Sequence, residues 1–245
     1  MIHTIQESMV SVNGCFLICL RHTEPVTRAA TGIYRGASAE QRREERRRRL
    51  MDAALEIIGT QGWATTTVRG VCEQAKVGPR FFYESFPDLD ALAAAVHDEI
   101  IDTAIHSSLE ALAAAPEGIP AKMRAAVTAI VTSVIDDPRR ARIAFAEAHG
   151  SETLMRRRAA AMRTIADVVA DQERALLDPP PGSDTLVRAV SLMITGGAAE
   201  LVLAWLDGSI DITRDELIDL CVEFVLTFAD NLATMAARLP PRPAP

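Results

Sequence analysis

Arg80, Phe81 and Tyr83, with six arginines between Arg42 and Arg49, are the residues of this chain best suited to chemistry. That chemistry is contact with a polyanion rather than bond-making. The run RREERRRR (Arg42 to Arg49) holds six arginines against two glutamates. It reads either as a solvated helix face or as a source of phosphate contacts. On the first reading, Glu44 with Arg48 and Glu45 with Arg49 form i,i+4 pairs. On the second, surplus guanidinium groups reach DNA phosphates and make binding salt-dependent. Bond-making chemistry finds no comparable set. The five histidines (His3, His22, His97, His106, His149) show neither HExxH nor HxxxH spacing, and no nucleophile elbow or phosphate loop is present. Cys15, Cys19, Cys72 and Cys221 form no CxxC pair, which suits a reduced, cytoplasmic setting. Glu147 and His149 are too close in sequence to share a helix face, and Glu200 reads as a satisfied core polar group. We therefore expect no enzyme activity, no metal and no cofactor.

The contact residues must be positioned by the stretch TTTVRGVCEQAKVGPRFFYESF, Thr65 to Phe86. Val68, Val71, Cys72 and Ala75 fall at i, i+3, i+4 and i+7, one apolar helical face. Thr67 precedes them as an N-cap. Gly78-Pro79 opens a second helix, with Pro at its first position. There Phe82 and Phe86 point inward, leaving Arg80, Phe81 and Tyr83 on other faces. Two short helices around a tight connection form a helix-turn-helix pattern in a DNA-reading arrangement.

Charge divides the chain in the same place. The net is +1 over residues 1–39, +2 over 40–86 and −10 over 87–245. Such asymmetry suits a small nucleic-acid reader joined to an acidic body. Residues 1–39 contain the apolar run VSVNGCFLICL, yet no Lys or Arg precedes it and no small-x-small site follows. A disordered tail over 1–39 is expected, ahead of an ordered element and well ahead of a signal peptide. No apolar run is expected to approach the roughly 20 residues that span a bilayer, so no membrane partner is expected.

Helical periodicity then runs to the end. Leu50, Ala54, Ile57 and Ile58 define a helix from about Glu40 to Thr60, after which Trp63 covers a small core. Further helices are expected over 88–115, 120–135, 139–149, 151–177, 184–206 and 214–238, with Ser151 and Thr213 as N-caps and Arg156 to Arg158 on a solvated face. Pro116-Glu117-Gly118, Asp136-Asp137-Pro138 and Asp178 to Gly182 break the pattern. The last two helices are apolar over more than one face and so need more than one neighbour; a second subunit suits them. Gly196-Gly197 permits a close backbone approach. The fold is expected to be all-α: a helix-turn-helix domain over 40–87, a helical body over 88–239, and a disordered tail over 240–245.

An amphipathic helix ending in Gly-aromatic, then TTTVRGVCEQAKVGPRFFYESF, then PDLDAL opening a long helix, resembles the TetR family of bacterial repressors over about residues 43–96. GAAELVLAWLDG (Gly197 to Gly208) resembles that family's last helices more loosely. The resemblance implies about nine helices and a homodimer formed through the last two of them. It also implies a double-stranded DNA operator and a small-molecule effector bound in the body. By position, Thr67 caps its helix and touches phosphate, as does the Tyr83 hydroxyl, while Arg69, Pro79, Arg80 and Phe81 approach bases or backbone. Lys76 in the turn and Arg43 and Arg46 on the first helix complete the expected DNA-contacting set. The Arg80 fork matches guanine O6 and N7; a phosphate contact is equally open. Phe145, His149, Met162, Met193 and Trp205 are the candidate effector-lining residues, against ordinary core packing.

Three positions depart from the family pattern. Gly70 stands where an acidic residue would complete a capping box. Lys76 stands where Gly is frequent, and Leu89 replaces a frequent phosphate-binding Lys. Two other readings are an all-α enzyme, which the histidine spacing disfavours, and a helical interaction module without DNA binding, which Thr67, Arg80 and Tyr83 disfavour.

Overall fold

The computed structural model describes residues 38–146 and 152–238. Every regular element among them is helical: α1 (Ala39–Gln61), a 3-10 turn (Trp63–Thr65), α2 (Val68–Ala75), α3 (Pro79–Ser85), α4 (Leu89–Ala114), α5 (Ile119–Ile135), α6 (Pro138–Ala141) continuing into a π-helical segment (Arg142–Ala146), α7 (Glu152–Leu177), α8 (Asp184–Leu206) and α9 (Arg214–Arg238). The 1–39 extension up to residue 37, the 240–245 tail, His149 and the Ser151 cap lie outside the described residues.

Side-chain caps set several helix starts. Ser38 Oγ accepts from the Gln41 N–H at 3.1 Å while Gln41 Oε1 accepts from the Ser38 N–H at 2.6 Å, a reciprocal capping box that opens α1. The Asp88 carboxylate accepts from the Ala91 N–H at 2.7 Å and opens α4. Thr213 and Glu216 cap α9 reciprocally, at 2.8 and 3.2 Å.

One apolar cluster joins the first three helices to those that follow. Leu50, Ala54 and Ile58 of α1, Val71 and Cys72 of α2, Phe82 of α3 and Phe86 pack in the same cluster as Leu92 and Val96 of α4. It runs on without a break to Leu217 and Val222 of α9. α4 lies along α5 and α7, and α8 lies along α7 and α9.

Five expectations are corrected here. Over its described part, up to residue 146, the helix expected over 139–149 is one α-helical turn followed by wider π turns. Ile143, Ala144 and Phe145 are consecutive and all buried, which a 3.6-residue period would not allow on a narrow contact face. Arg48 does not turn to Glu44; it pairs with Asp52 at 3.1 Å and with Glu99 of α4 at 2.6 Å. Finally, α8 and α9 are both long and apolar enough to cross a bilayer on length and composition, with mean hydropathies of 1.7 and 1.4. Each contains an 18-residue stretch with at most two charged side chains. Nor is the face of Arg156, Arg157 and Arg158 merely solvated: Arg157 reaches Asp98 at 2.9 Å and Arg158 reaches Glu200 at 2.6 Å. Glu200 is accordingly an exposed ion-pair partner rather than a core polar group.

His97 of α4 is the most deeply buried polar side chain between the first helices and the body. Its ring nitrogens have no hydrogen-bond partner among the described residues, and Nδ1 lies 3.7 Å from Asp98 Oδ1. Burial first, and Arg157 in addition, hold its pKa below the ordinary histidine value, against the pull of Asp98. The neutral ring is thus the folded form. Stability that is complete above about pH 6.5 is lost as pH falls through that value toward the lower folded pKa. A His97→Leu protein is expected to be more stable at pH 7.5 by about 1 kcal/mol, since the buried unpaired nitrogens are gone. Thermal melts should also lose the difference between pH 7.5 and 5.5 that this ring contributes. Equal pH dependence in the two proteins would contradict the assignment.

Candidate functional site

The stretch 65–86 folds as two short helices whose inner faces are dry. Thr67 Oγ1 accepts from the Gly70 N–H at 3.1 Å, and Gly70, lacking a side chain, returns no bond. A Cβ at Gly70 would stand 3.2 Å from Thr67 Oγ1, so the glycine also gives the cap its room. Lys76 closes α2 in the left-handed region at φ 54°, ψ 43°. A residue with a Cβ is strained there by about 1–2 kcal/mol, which is why Gly is frequent at this position. The turn at Lys76 lets the Val77 N–H reach Cys72 O at 3.1 Å, closing the helix. Pro79 takes the first helical position of α3 behind Gly78, where its missing N–H costs nothing.

On α3, Phe82 is 0% exposed and Phe86 is buried beside it, their centroids 6.1 Å apart. The opposite side shows Arg80, Phe81 and Tyr83 to solvent, Tyr83 being 61% exposed. Tyr83 sets its ring edge-on to Phe82 at 5.2 Å, so its orientation is fixed while its hydroxyl stays free to meet a ligand. Arg69 pairs with Glu73 at 2.8 Å and Arg80 with Glu84 at 3.3 Å, each i,i+4 on its own helix. Exposed pairs of this kind are weak in water, so phosphate or guanine can replace the carboxylate at little cost.

The arginine run of α1 has a role that sequence reasoning missed. Arg43 Nη2 donates to Glu84 O at 2.8 Å and Arg47 Nη1 to Ser85 O at 3.3 Å. These are carbonyls at the C-terminal end of α3, where a cation complements the helix dipole. The Arg46 guanidinium lies 4.5 Å above the Phe81 ring, and that of Arg47 4.3 Å above Phe86. Arg43 and Arg46 thus hold α3 in place. The missing signal was the third dimension: a charge run shows no partner until α3 is folded across it.

A second feature lies in the body. A cavity of about 170 Å³ opens between α4, α5, the π-helical segment, α7, α8 and α9. Phe145 and Met162 line it, as expected. Met193 and Trp205 do not. Met193 is 59% exposed on the outer face of α8, and Trp205 donates its Nε1–H to Ile212 O at 2.9 Å, bracing the α8–α9 connection. His149 lies outside the described residues. Glu173 and Thr195, both buried, line the cavity and were missed, because a lone carboxyl or hydroxyl within a helical run carries no spacing signal. Among the described residues, no three His, Cys, Asp or Glu side chains converge as a metal site.

Cavity wall and first helix meet at one joint. Arg139 of α6 reaches Glu56 of α1 at 2.6 Å and Asp137 at 2.8 Å, and these bonds raise its pKa while Arg139 lowers that of Asp137. Arg142 Nη1 donates to Thr60 O at 3.0 Å. Gly59 admits this contact: a Cβ there would fall 2.4 Å from Arg139 Cβ and 2.7 Å from its Cα. The same α6 and π-helical segment carries Phe145 into the cavity.

These elements define a class, a helix-turn-helix domain followed by a helical C-terminal body. Residues 50–96 match the family described as "Bacterial regulatory proteins, tetR family". That match covers α2, α3 and the adjoining parts of α1 and α4, and it is what this stretch of the chain is similar to. It is 33% identical over 60 residues to the HTH-type transcriptional regulator HbdR of Aromatoleum sp. (strain CIB). That match spans 24% of this chain and 26% of the relative, about a quarter of each. Among solved structures, a putative transcriptional regulator from Pseudomonas aeruginosa PAO1 superposes with a TM-score of 0.62 at 17% identity, over 78% of this chain and 94% of that one. A putative TetR-family regulator from Rhodococcus sp. does so with a TM-score of 0.60 at 21% identity, over 75% and 98%. At such identities these two likenesses speak for the fold.

Proposed function

We propose that this chain is a cytoplasmic, homodimeric repressor that binds a near-palindromic double-stranded DNA operator and is released by a small apolar effector. The reading head comprises residues 40–87 and the effector-binding and dimerisation body residues 88–239. The observation that carries the reading is α3: one side is sealed into the core by Phe82 and Phe86, while Arg80, Phe81 and Tyr83 stand exposed on a helix braced from behind by Arg43, Arg46 and Arg47. In a dimer, two such helices enter successive major grooves about 34–36 Å apart. Thr67, Arg69, Lys76, Pro79 and Tyr83 frame the helix as phosphate or base contacts. Arg43 and Arg46 act chiefly by positioning α3, with their outer donors available to phosphate.

The effector occupies the cavity. Its wall and the first helix share the Arg139–Glu56 joint, so a ligand that displaces Phe145 shifts α1 and with it α3. By linkage, that ligand binds the free form better than the DNA-bound form.

Selection of bound sequences from random duplex DNA tests the head, returning site and symmetry together. Arg80→Ala is expected to lower operator affinity by roughly 5–150-fold, the equivalent of about 1–3 kcal/mol. A loss concentrated at one base pair identifies a guanine contact. A uniform loss, with the salt slope reduced by about 1, identifies a phosphate contact. Unchanged affinity would remove Arg80 from the interface.

A further inference from the structure

The cavity is apolar except at one place. Ile, Val, Leu, Ala and Met dominate its lining, and the Ser108 hydroxyl is already spent on Ala126 O at 3.0 Å. Three polar side chains remain among the described lining residues, the half-buried Gln172 and the buried Glu173 and Thr195. The Thr195 residue is 7% exposed, and its Oγ1 has no hydrogen-bond partner among the described residues. Glu173 is 5% exposed, and its partner among the described residues is the Ser191 hydroxyl at 2.9 Å from Oε2. Even that bond is contested, because the same hydroxyl lies 2.8 Å from Val187 O and has a single proton to donate. The neighbouring Arg174 points its charge elsewhere, to Asp171 at 2.8 Å and Asp184 at 3.3 Å.

Glu173 and Thr195 lie on neighbouring helices, α7 and α8, of the cavity wall. Ser191 and Thr195 are four apart on α8 and so lie one turn from each other on a single face. That face meets α7 at Glu173, through the Ser191 contact. A carboxyl oxygen and a hydroxyl thus share one wall of an otherwise greasy chamber. Leaving such groups unpaired away from water is costly, and a buried carboxylate without a cation more so. Burial, its largest influence, accordingly raises the Glu173 pKa, with Ser191 and Arg174 opposing it.

We infer that the cavity takes a small amphiphile with an apolar body and a single protonated amine head, the head donating to Glu173 and Thr195. This deepens the effector reading and rests on it for its biological meaning. An ammonium only donates, and both oxygens can accept. Its charge neutralises the Glu173 carboxylate, whereas a carboxylate-headed ligand brings a like charge and a neutral chain leaves both oxygens as they were. Volume limits the body. A dry cavity of about 150 Å³ holds benzene, so 170 Å³ suits a single ring or a chain of about six carbons.

The test uses three probes that share one chain: hexylamine, hexan-1-ol and hexanoate, titrated calorimetrically into the full-length protein without DNA at pH 7.5. Hexylamine is expected to bind about tenfold or more tighter than the alcohol, as a charge-assisted bond to a buried carboxylate implies, and hexanoate weakest. Glu173→Gln should bring the amine to the alcohol's level, and retained alcohol binding reports that the cavity is intact. Thr195→Val, a shape-conserving change, should reduce amine binding several-fold and by more than it reduces alcohol binding; it serves alone if the Gln variant does not fold. Equal binding of all three probes overturns the assignment, as does an amine preference that survives both substitutions. Operator release is measured separately. If the amine binds through Glu173 but the operator stays bound, the amine site stands and the effector reading falls. If other apolar compounds release DNA and the amine shows no preference, the reverse holds.

Discussion

A Leu220→Glu protein is expected to run as a single-chain species in light scattering and to lose about 10²–10⁴-fold in operator affinity, with its helical content intact. Among the exposed large apolar side chains of the described residues, Leu192, Met193, Leu206, Leu220 and Phe224 all lie on α8 and α9. A patch of that kind marks an interaction surface. Leu220, 46% exposed, sits one turn before Phe224 on the outer face of α9. On α8, a Cβ at Gly196 would meet nothing within 4 Å, which leaves a partner helix free to approach the backbone closely. In a two-fold interface each substitution enters twice on the same patch, so two glutamates face a desolvated apolar surface and each other. The change is confined to an exposed position and should cost the single chain little. The affinity loss follows from avidity: a monomer reads one half-site and forfeits the effective concentration that coupled the second. A variant that stays dimeric and binds normally would place the subunit contact elsewhere.

The same surface shows what the sequence could and could not tell. The broad apolar arcs of 184–206 and 214–238 were legible, with both ranges matching α8 and α9. Periodicity reports that a face is apolar, not what covers it, so Met193 was expected inside and lies outside. Trp205 was drawn to the cavity by its size, yet its indole N–H is claimed by Ile212 O. Local rules did well where the physics is local: Thr67 as a cap, Lys76 left-handed, Pro79 opening α3, Phe82 and Phe86 inward. They failed where partners are distant in sequence. Nothing in RREERRRR announces that Arg43 and Arg47 will close the far end of α3. Nor does anything announce that Arg48 will prefer Glu99, or that Gly59 must be bare to admit Arg139. The candidate cavity was half legible for the same reason, since Phe145 and Met162 carry bulk that reads as lining while Glu173 and Thr195 have no pattern.

Phe82→Ala is expected to lower the unfolding free energy by about 3–5 kcal/mol, the usual cost of emptying a large aromatic site in a core, and to abolish sequence-specific DNA binding. Phe82 is fully buried and contacts both neighbouring aromatic rings. α3 spans seven residues, too short to persist without its packing. Its other restraints include the Arg43 and Arg47 bonds to its last carbonyls, the Arg46 stack on Phe81 and the Phe86 anchor, all of which presuppose that α3 is already docked. Without the ring, Arg80 and Tyr83 lose their common frame and cannot meet a groove together. Because the cluster containing Phe82 runs on through Leu92 and Val96 into the body, denaturant unfolding should remain a single transition shifted to lower midpoint. A separate early transition would instead show that α1–α3 melt independently and that the Arg139–Glu56 joint is too weak to couple head and body. That outcome would remove the mechanical route from cavity to operator even if the DNA contacts proved correct. A loss below about 1 kcal/mol, small against the 5–15 kcal/mol of a typical fold, would mean that Phe82 does not anchor α3 at all.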